Sequence, residues 1–249
     1  MNVLLIGGTG YVGSALSRLL KKNDFSVKSI GRFTSCKYII GTKVDEKIFS
    51  YTDIVVYLSW YFNTNDKKYE DKNIESFSNV VDICKIRNIK LIFISTLFAS
   101  KYSKSKYNKT KAECEDIALK NNFSVVRFGS VILKGYELEG TYKKLESFVR
   151  KYRIYPKIYP VFSSFQKTGN AELINFSNSL NSLKNQVYVY TNFKNETLEE
   201  ILNLKKNFYF SIPIHWSMIY FPLKLLETLN ISSPINSDIV KSIWLTKKK

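Results

Sequence analysis

Tyr107 and Lys111 stand four residues apart in the stretch Tyr107-Asn108-Lys109-Thr110-Lys111, a spacing that puts both side chains on one face of a helix. A free phenol has a pKa of about 10 and is a poor base at neutral pH. An ammonium about 4 Å away contributes about 4 kcal/mol at an effective dielectric of about 20, an upper limit of about 3 pK units. Such a pair can move a tyrosine toward the range where it exchanges protons. A hydroxyl ahead of the pair would position the oxygen that gains or loses the proton. Thr96, at the end of Ile94-Ser95-Thr96, is the candidate. Ser95 is its neighbouring alternative, and either can simply cap a strand end. Spacing alone decides little, because a chain with 17 tyrosines and 32 lysines contains four such pairs: Tyr102/Lys106, Tyr107/Lys111, Tyr190/Lys194 and Tyr220/Lys224. Position decides. The first two follow an apolar run at 90–95, and only Tyr107/Lys111 leads straight into helical periodicity through Ala112, Ile117 and Ala118.

The elements that must carry these groups begin at residue 2. Val3-Leu4-Leu5-Ile6 reads as a buried strand, and Gly7-Gly8-Thr9-Gly10-Tyr11-Val12-Gly13 follows it directly. Ala15, Leu16, Leu19 and Leu20 then form an amphipathic helical stripe. A glycine turn between strand and helix is a cradle for a dinucleotide's pyrophosphate, with helix N–H groups facing the anion. Gly7 would serve the tight turn, Gly10 the backbone approach to phosphate and Gly13 the packing of helix on strand. Thr9, Tyr11 and Val12 complete the candidate cofactor turn. Strand 2, Phe25–Ile30, ends in Gly31-Arg32 with no carboxylate. An acidic residue there selects NAD through the ribose 2′-hydroxyl, whereas an arginine accommodates a 2′-phosphate. NADP(H) is therefore the favoured cofactor, with NAD(H) the alternative if Arg32 is only a solvent-exposed loop residue.

Strands and helices continue to alternate. A short strand is expected at Tyr38–Ile40, buried strands at Asp53–Leu58, Lys90–Ser95 and Ser124–Phe128, and a later strand at Gln186–Tyr190. Helices are expected at Asn73–Arg87, Ala112–Leu119, Leu145–Tyr152, Leu173–Leu183 and Thr197–Leu204. The pattern is that of an α/β chain: a Rossmann-type, doubly wound parallel sheet. Residues 1–135 form the dinucleotide-binding domain of this reading. Residues 136–249 form a small C-terminal substrate lobe, with about 168–193 returning to the sheet.

Composition excludes several classes. The 249 residues are 45% apolar, enough for a full core, and the longest uncharged stretch, Asn207 to Leu223, is broken by two prolines and too short to span a membrane. A strand starting at residue 2 leaves no room for a signal peptide, so a cytoplasmic location is expected. The single histidine and three scattered cysteines offer no metal spacing, and the cysteines read as reduced core residues. The net charge of +17 comes mainly from lysines spread along the chain. It suits anionic nucleotide substrates, and no nucleic-acid partner is expected.

Taken together, the glycine turn, Asp53-Ile54-Val55-Val56-Tyr57-Leu58-Ser59-Trp60, Ile94-Ser95-Thr96, Tyr107…Lys111-Ala112-Glu113 and Val126-Arg127-Phe128-Gly129 resemble an extended short-chain dehydrogenase/reductase. More narrowly, they are similar to the NAD(P)-dependent epimerase/dehydratase group acting on nucleotide sugars. The resemblance spans about residues 2–135. It implies that Thr96, Tyr107 and Lys111 are the catalytic set: Tyr107 exchanging a proton with a sugar hydroxyl, Lys111 holding the nicotinamide ribose and Thr96 bonding the reacting oxygen. It also places Leu58, Ser59 and Trp60 near the nicotinamide, although Trp60 reads equally well as a core aromatic.

The chain departs from the family pattern in a short, lysine- and serine-rich Thr96–Tyr107 segment, in Gly41-Thr42 where an aspartate is usual, and in Phe128 where a proline is usual. Leu97 and Phe98 occupy the place of a dehydratase's acidic pair, which argues against dehydration. Arg150 and Arg153 are candidate diphosphate ligands, with solvated helix charges the plainer reading. The expectation is a nucleotide-sugar epimerase or reductase, in surface-polysaccharide precursor synthesis, with a homodimer as one outcome. The alternative is a non-catalytic dinucleotide-binding subunit or a redox-sensing protein of the same superfamily. Its aromatic, basic C-terminal region could then lie on an anionic membrane, although a packed lobe core is favoured.

Overall fold

Continuous apolar runs can be buried on both faces only in the middle of a parallel sheet covered by helices. Four such runs build the centre of this protein. Asn2–Ile6 (β1), Ile54–Tyr57 (β3), Lys90–Thr96 (β4) and Ser124–Phe128 (β5) are buried along most of their length. The computed structural model describes residues 1–32, 37–103, 105–137, 140–159, 167–192, 202 and 210–228. These divide into two compact units: Met1–Phe128 with Ala171–Thr191, and Gly129–Asn170 with Asn192–Lys249.

In the first unit, Ser26–Ile30 (β2) and, much later in the chain, Val187–Tyr190 form the two edges of a six-stranded sheet. Every neighbouring pair is parallel. From β1 the chain passes through helix α1 (Tyr11–Lys22) to β2 on one side, then crosses back to β3 on the other. In such sheets ligands bind outside the carboxyl ends of the strands, where the order reverses. Here Ile30, Ile6, Tyr57 and Phe93 lie in register across the reversal. Helices α2 (Tyr69–Ile86) and α3 (Lys106–Lys120) cover one face. Phe77, Val80, Cys84, Cys114 and Ala118 pack there against Leu4, Ile6, Val55, Tyr57, Leu91, Phe93 and Val125. Cys84 and Cys114 are free thiols in this core, and burial pushes both pKa values up to about 12.

Three expectations are corrected. Tyr38–Ile40 is not a strand: the edge is reduced to one bridge between Gly31 and Lys37, and Gly41 turns the chain away at φ +90°. Helix α2 starts at Tyr69, four residues before Asn73, whereas α3 contains both Ala112–Leu119 and the Tyr107/Lys111 pair, as the spacing implied. The described helix after residue 168 is Asn170–Ser179 (α5), shorter than Leu173–Leu183.

In the second unit, short strands β6 (Ser130–Val131) and β8 (Lys167–Thr168) pair in parallel. Helix α4 (Gly140–Tyr152) leads into β7 (Ile154–Tyr159), which pairs in parallel with β10 (Phe210–His215). Val187–Tyr190 is thus β9 in chain order. Val149, Tyr155 and Leu202 form a small core. The final described helix, α6 (Trp216–Thr228), carries Pro222. The expected helix at Thr197–Leu204 lies outside the described residues, save for Leu202. Among the described residues no helix is long and apolar enough to cross a membrane, and no group of three potential ligands is placed to hold a metal ion.

Candidate active site

The glycine turn takes its shape from backbone packing. Gly7 has φ +91°, and its amide and that of Gly8 both donate to the Ile30 carbonyl. A Cβ on Gly7 would lie 2.7 Å from the Ser59 amide nitrogen, and one on Gly13 would run into the Gly7 carbonyl oxygen. Both positions therefore demand glycine for reasons internal to the fold. Gly10 differs. Its φ of −74° suits any residue, and a Cβ there would meet only the Gly7 oxygen at 3.4 Å. Nothing within the described residues requires bare backbone at this exposed position. An approaching ligand would, and a pyrophosphate does.

The adjoining end of α1 has no side-chain cap and no acidic residue in its first turn. The positive end of its dipole is left for an outside anion. Thr9 is exposed and Tyr11 and Val12 are half-buried around it. Arg32 is exposed just past β2. On these grounds the turn fits a dinucleotide.

Beyond β3, Leu58 and Ser59 are half-buried and the Leu58 amide donates to Ile6 O at 2.8 Å, extending the sheet pairing to the site. Trp60 turns inward. Its Nε1 donates to the Tyr69 hydroxyl at 2.9 Å, its ring meets Tyr107 edge-on at 5.8 Å, and its face holds Lys111 Nζ 3.8 Å from the centroid. Lys111 Nζ also donates to Ile94 O at 2.8 Å and lies over the Phe93 ring at 4.7 Å.

The structure thus brings Trp60, Tyr107 and Lys111 together, but the electrostatics reverse the sequence expectation. Burial, not a neighbouring charge, dominates both groups. It pushes the Tyr107 phenol up to about 12 and the Lys111 ammonium down to about 7, with Cys114 and Glu115 opposing the latter.

Thr96 ends β4 half-buried, its Oγ1 accepting from Phe98 N at 3.5 Å. Ser95 is buried and shares the Phe93 face of the strand by alternation. Its hydroxyl has no hydrogen-bond partner among the described residues. Both hydroxyls therefore stay in play.

Several residues that matter here escape a reading of the sequence alone. Asn73, buried in α2, accepts from Tyr61 N at 2.9 Å and donates to Tyr61 O at 3.1 Å, pinning the loop between Trp60 and Phe62. Phe62 stacks on Tyr107 at 6.2 Å and 19°. Tyr69, Asn73 and Phe77 stand at i, i+4 and i+8, a stripe that becomes visible once the helix is started at Tyr69. Glu115, not Glu113, forms the ion pair behind the site: Arg127 Nε and Nη2 donate to its two oxygens at 2.9 and 2.5 Å. In the second unit, Arg150 pairs with Glu146 one turn back on the exposed face of α4, as a solvated helix charge does.

A parallel, doubly wound sheet with a glycine turn at its switch point is a Rossmann-type dinucleotide fold. Residues 3–126 match the NAD dependent epimerase/dehydratase family. No curated protein matches the chain by sequence.

Among solved structures, the chain is similar to the Thermus thermophilus UDP-glucose 4-epimerase complex with NAD, at 15% identity and a TM-score of 0.65 over 82% of this chain and 81% of that one. It is similar to Helicobacter pylori ADP-L-glycero-D-manno-heptose-6-epimerase at 15% identity and 0.67, over 86% and 85%. It is also similar to Bacillus anthracis dTDP-glucose 4,6-dehydratase in complex with NAD at 13% identity and 0.68, over 100% and 97%. At these identities the likeness concerns the fold.

Proposed function

We propose that this protein is a cytoplasmic NAD(P)-dependent enzyme that epimerises or reduces a nucleotide sugar, with the second unit as its substrate lobe. The observation that carries the reading is the conjunction of a ligand-shaped glycine turn with Tyr107 and Lys111 at the start of α3, at the same carboxyl edge of the sheet. Gly7–Gly13 would hold the pyrophosphate, Arg32 a 2′-phosphate, and Leu58, Ser59 and Trp60 the nicotinamide side. When bound, the nicotinamide supplies hydride transfer at the sugar carbon.

Tyr107 gives or takes the proton at the adjacent oxygen. With its pKa raised, the phenol keeps its proton at neutral pH, which suits donation to a keto oxygen. Lys111 would supply positive charge beside the phenolate left behind, and Thr96, or Ser95, would orient the oxygen. The apolar Leu97-Phe98 pair offers no acid for dehydration.

Purified protein titrated with NADPH and NADH, followed by nicotinamide fluorescence, tests the first half. Arg32 predicts tighter NADPH binding, and binding of neither would refute the cofactor. Turnover of sugar nucleotides tests the second half: Tyr107→Phe should lower kcat by about 10²-fold or more, with nucleotide affinity intact. Thr96→Val and Ser95→Ala would show which hydroxyl serves.

One observation favours a second reading, a dinucleotide-binding structural subunit or redox sensor. The Lys111 Nζ is folded into an apolar box, where its hydrogen bond goes to the Ile94 carbonyl. Unchanged biological activity in Tyr107→Phe would select it.

A further inference from the structure

Trp60 and the two residues after it are each held by a separate contact. The Tyr69 hydroxyl fixes the indole nitrogen of Trp60 from α2. Asn73 clamps both backbone groups of the next residue, Tyr61. Phe62, two residues on, closes over the face of Tyr107, while Trp60 meets the same ring at its edge. The outcome is a clip of two aromatic rings around the phenol, with one of them also forming the floor under Lys111.

We propose that Trp60 is a positioning residue, whose indole edge sets the Tyr107 ring and whose face sets the Lys111 ammonium, so that one rigid side chain fixes the separation of the two groups. The proposal rests on the reading of Tyr107 and Lys111 given above and deepens it.

The surroundings of Nζ support the assignment. From β4 it receives the Ile94 carbonyl and the Phe93 ring, and from beyond β3 the indole. The ionisable groups facing the cluster are Tyr69, with Glu70 beside it, on α2 and Tyr107, Cys114 and Glu115 on α3. Glu115 is committed to Arg127 on β5. Among the described residues the ammonium therefore has no carboxylate of its own, and the indole face carries much of its stabilisation. Being poorly solvated, it sheds its proton near pH 7, which gives the contact a readable signature.

Two measurements on the full chain without cofactor test this. In a protein with Trp216 and Trp244 replaced by phenylalanine, Trp60 is the sole indole. Its emission should change in a single transition between about pH 6 and 8, and the transition should vanish in Lys111→Met. Its absence from the parent, or survival in Lys111→Met, overturns the proposal.

Second, the pH at which unfolding stability begins to rise should stay in place in Trp60→Phe, which keeps an aromatic face, and move to lower pH in Trp60→Leu, whose buried ammonium loses that face and sheds its proton more readily. A rise that begins at the same pH in Trp60→Leu and parent overturns the proposal. If Trp60→Leu does not fold, the emission test stands alone. Neither measurement involves nucleotide or turnover, so a failed proposal leaves the enzymatic reading to its own assays.

Discussion

The glycine turn and the Tyr107–Lys111 pair lie in the same unit, yet they are held in different ways. The turn is fixed by backbone against backbone: Gly7 against Ser59, and Gly13 against Gly7 and Gly8. Outside its seven consecutive residues it leans on the Ser59 backbone and on the Ile30 carbonyl. The pair is fixed mainly by side chains, from four places: Trp60 and Phe62 beyond β3, Tyr69 and Asn73 on α2, Phe93 with the Ile94 carbonyl on β4, and the Glu115–Arg127 bridge tying α3 to β5. A turn built of backbone breaks with a single methyl group. A cluster built of side chains can lose a member and be retuned.

The largest effect should come from the bridge. Glu115 is buried, and Glu115→Ala would leave Arg127 without its bidentate partner. The expected loss is about 3–5 kcal/mol in a denaturant melt; a loss under about 1 kcal/mol would mean that α3 is held by apolar packing alone.

Next, Gly7→Ala combines a left-handed backbone with a close approach to Ser59. It should cost roughly 2–4 kcal/mol. Gly10→Ala is the contrast that sharpens the comparison. The chain should keep its stability to within about 0.5 kcal/mol while its affinity for NADH or NADPH falls about tenfold, roughly 1.4 kcal/mol. Equal losses of stability in the two variants would remove the argument that the Gly10 surface is shaped for a ligand.

A smaller effect separates the pair from the turn by pH. The folded-state pKa of Lys111 lies below its ordinary value. Between pH 7 and 9 the unfolded chain therefore binds more protons at this lysine than the folded one. Stability should rise with pH across that window, by up to about 1.4 kcal/mol per unit, and Lys111→Met should abolish the rise. Above pH 9 the raised pKa values of Cys84, Cys114 and Tyr107 act in the opposite direction to a carboxylate's: the unfolded chain loses those protons first, and stability falls. A flat profile in the parent would place the lysine in water. The smallest effect should be at exposed Arg32: Arg32→Ala is expected to weaken NADPH about tenfold and leave NADH and the melting profile unmoved.

The second unit shows where reading along the chain fails. Ile154–Tyr159 and Phe210–His215 pair in parallel, although each carries a proline and about 50 residues separate them. Isolated segments with Pro156 and Pro213 look like loops. Only a partner strand distant in sequence makes them a sheet, and no local signal announces that partner. Trp216–Thr228 is hard to see in the sequence for a related reason, because Pro222 interrupts its helical pattern.

What the sequence determined by itself is what short-range physics controls. Apolar runs buried from both sides dictated β1, β3, β4 and β5. The glycine turn dictated where the first strand hands over to a helix, since its residue spacing can be read without knowing what packs against it. The one-turn spacing dictated that Tyr107 and Lys111 share a face of α3. The tertiary structure alone decided the environment of that face. A lysine beside a tyrosine reads in one dimension as an activating charge. In three dimensions Trp60 and Phe93 exclude water from the ammonium, and desolvation outweighs the attraction the spacing promised. Solvation depends on everything that packs around a group, and most of what surrounds Lys111 is far from it in the chain.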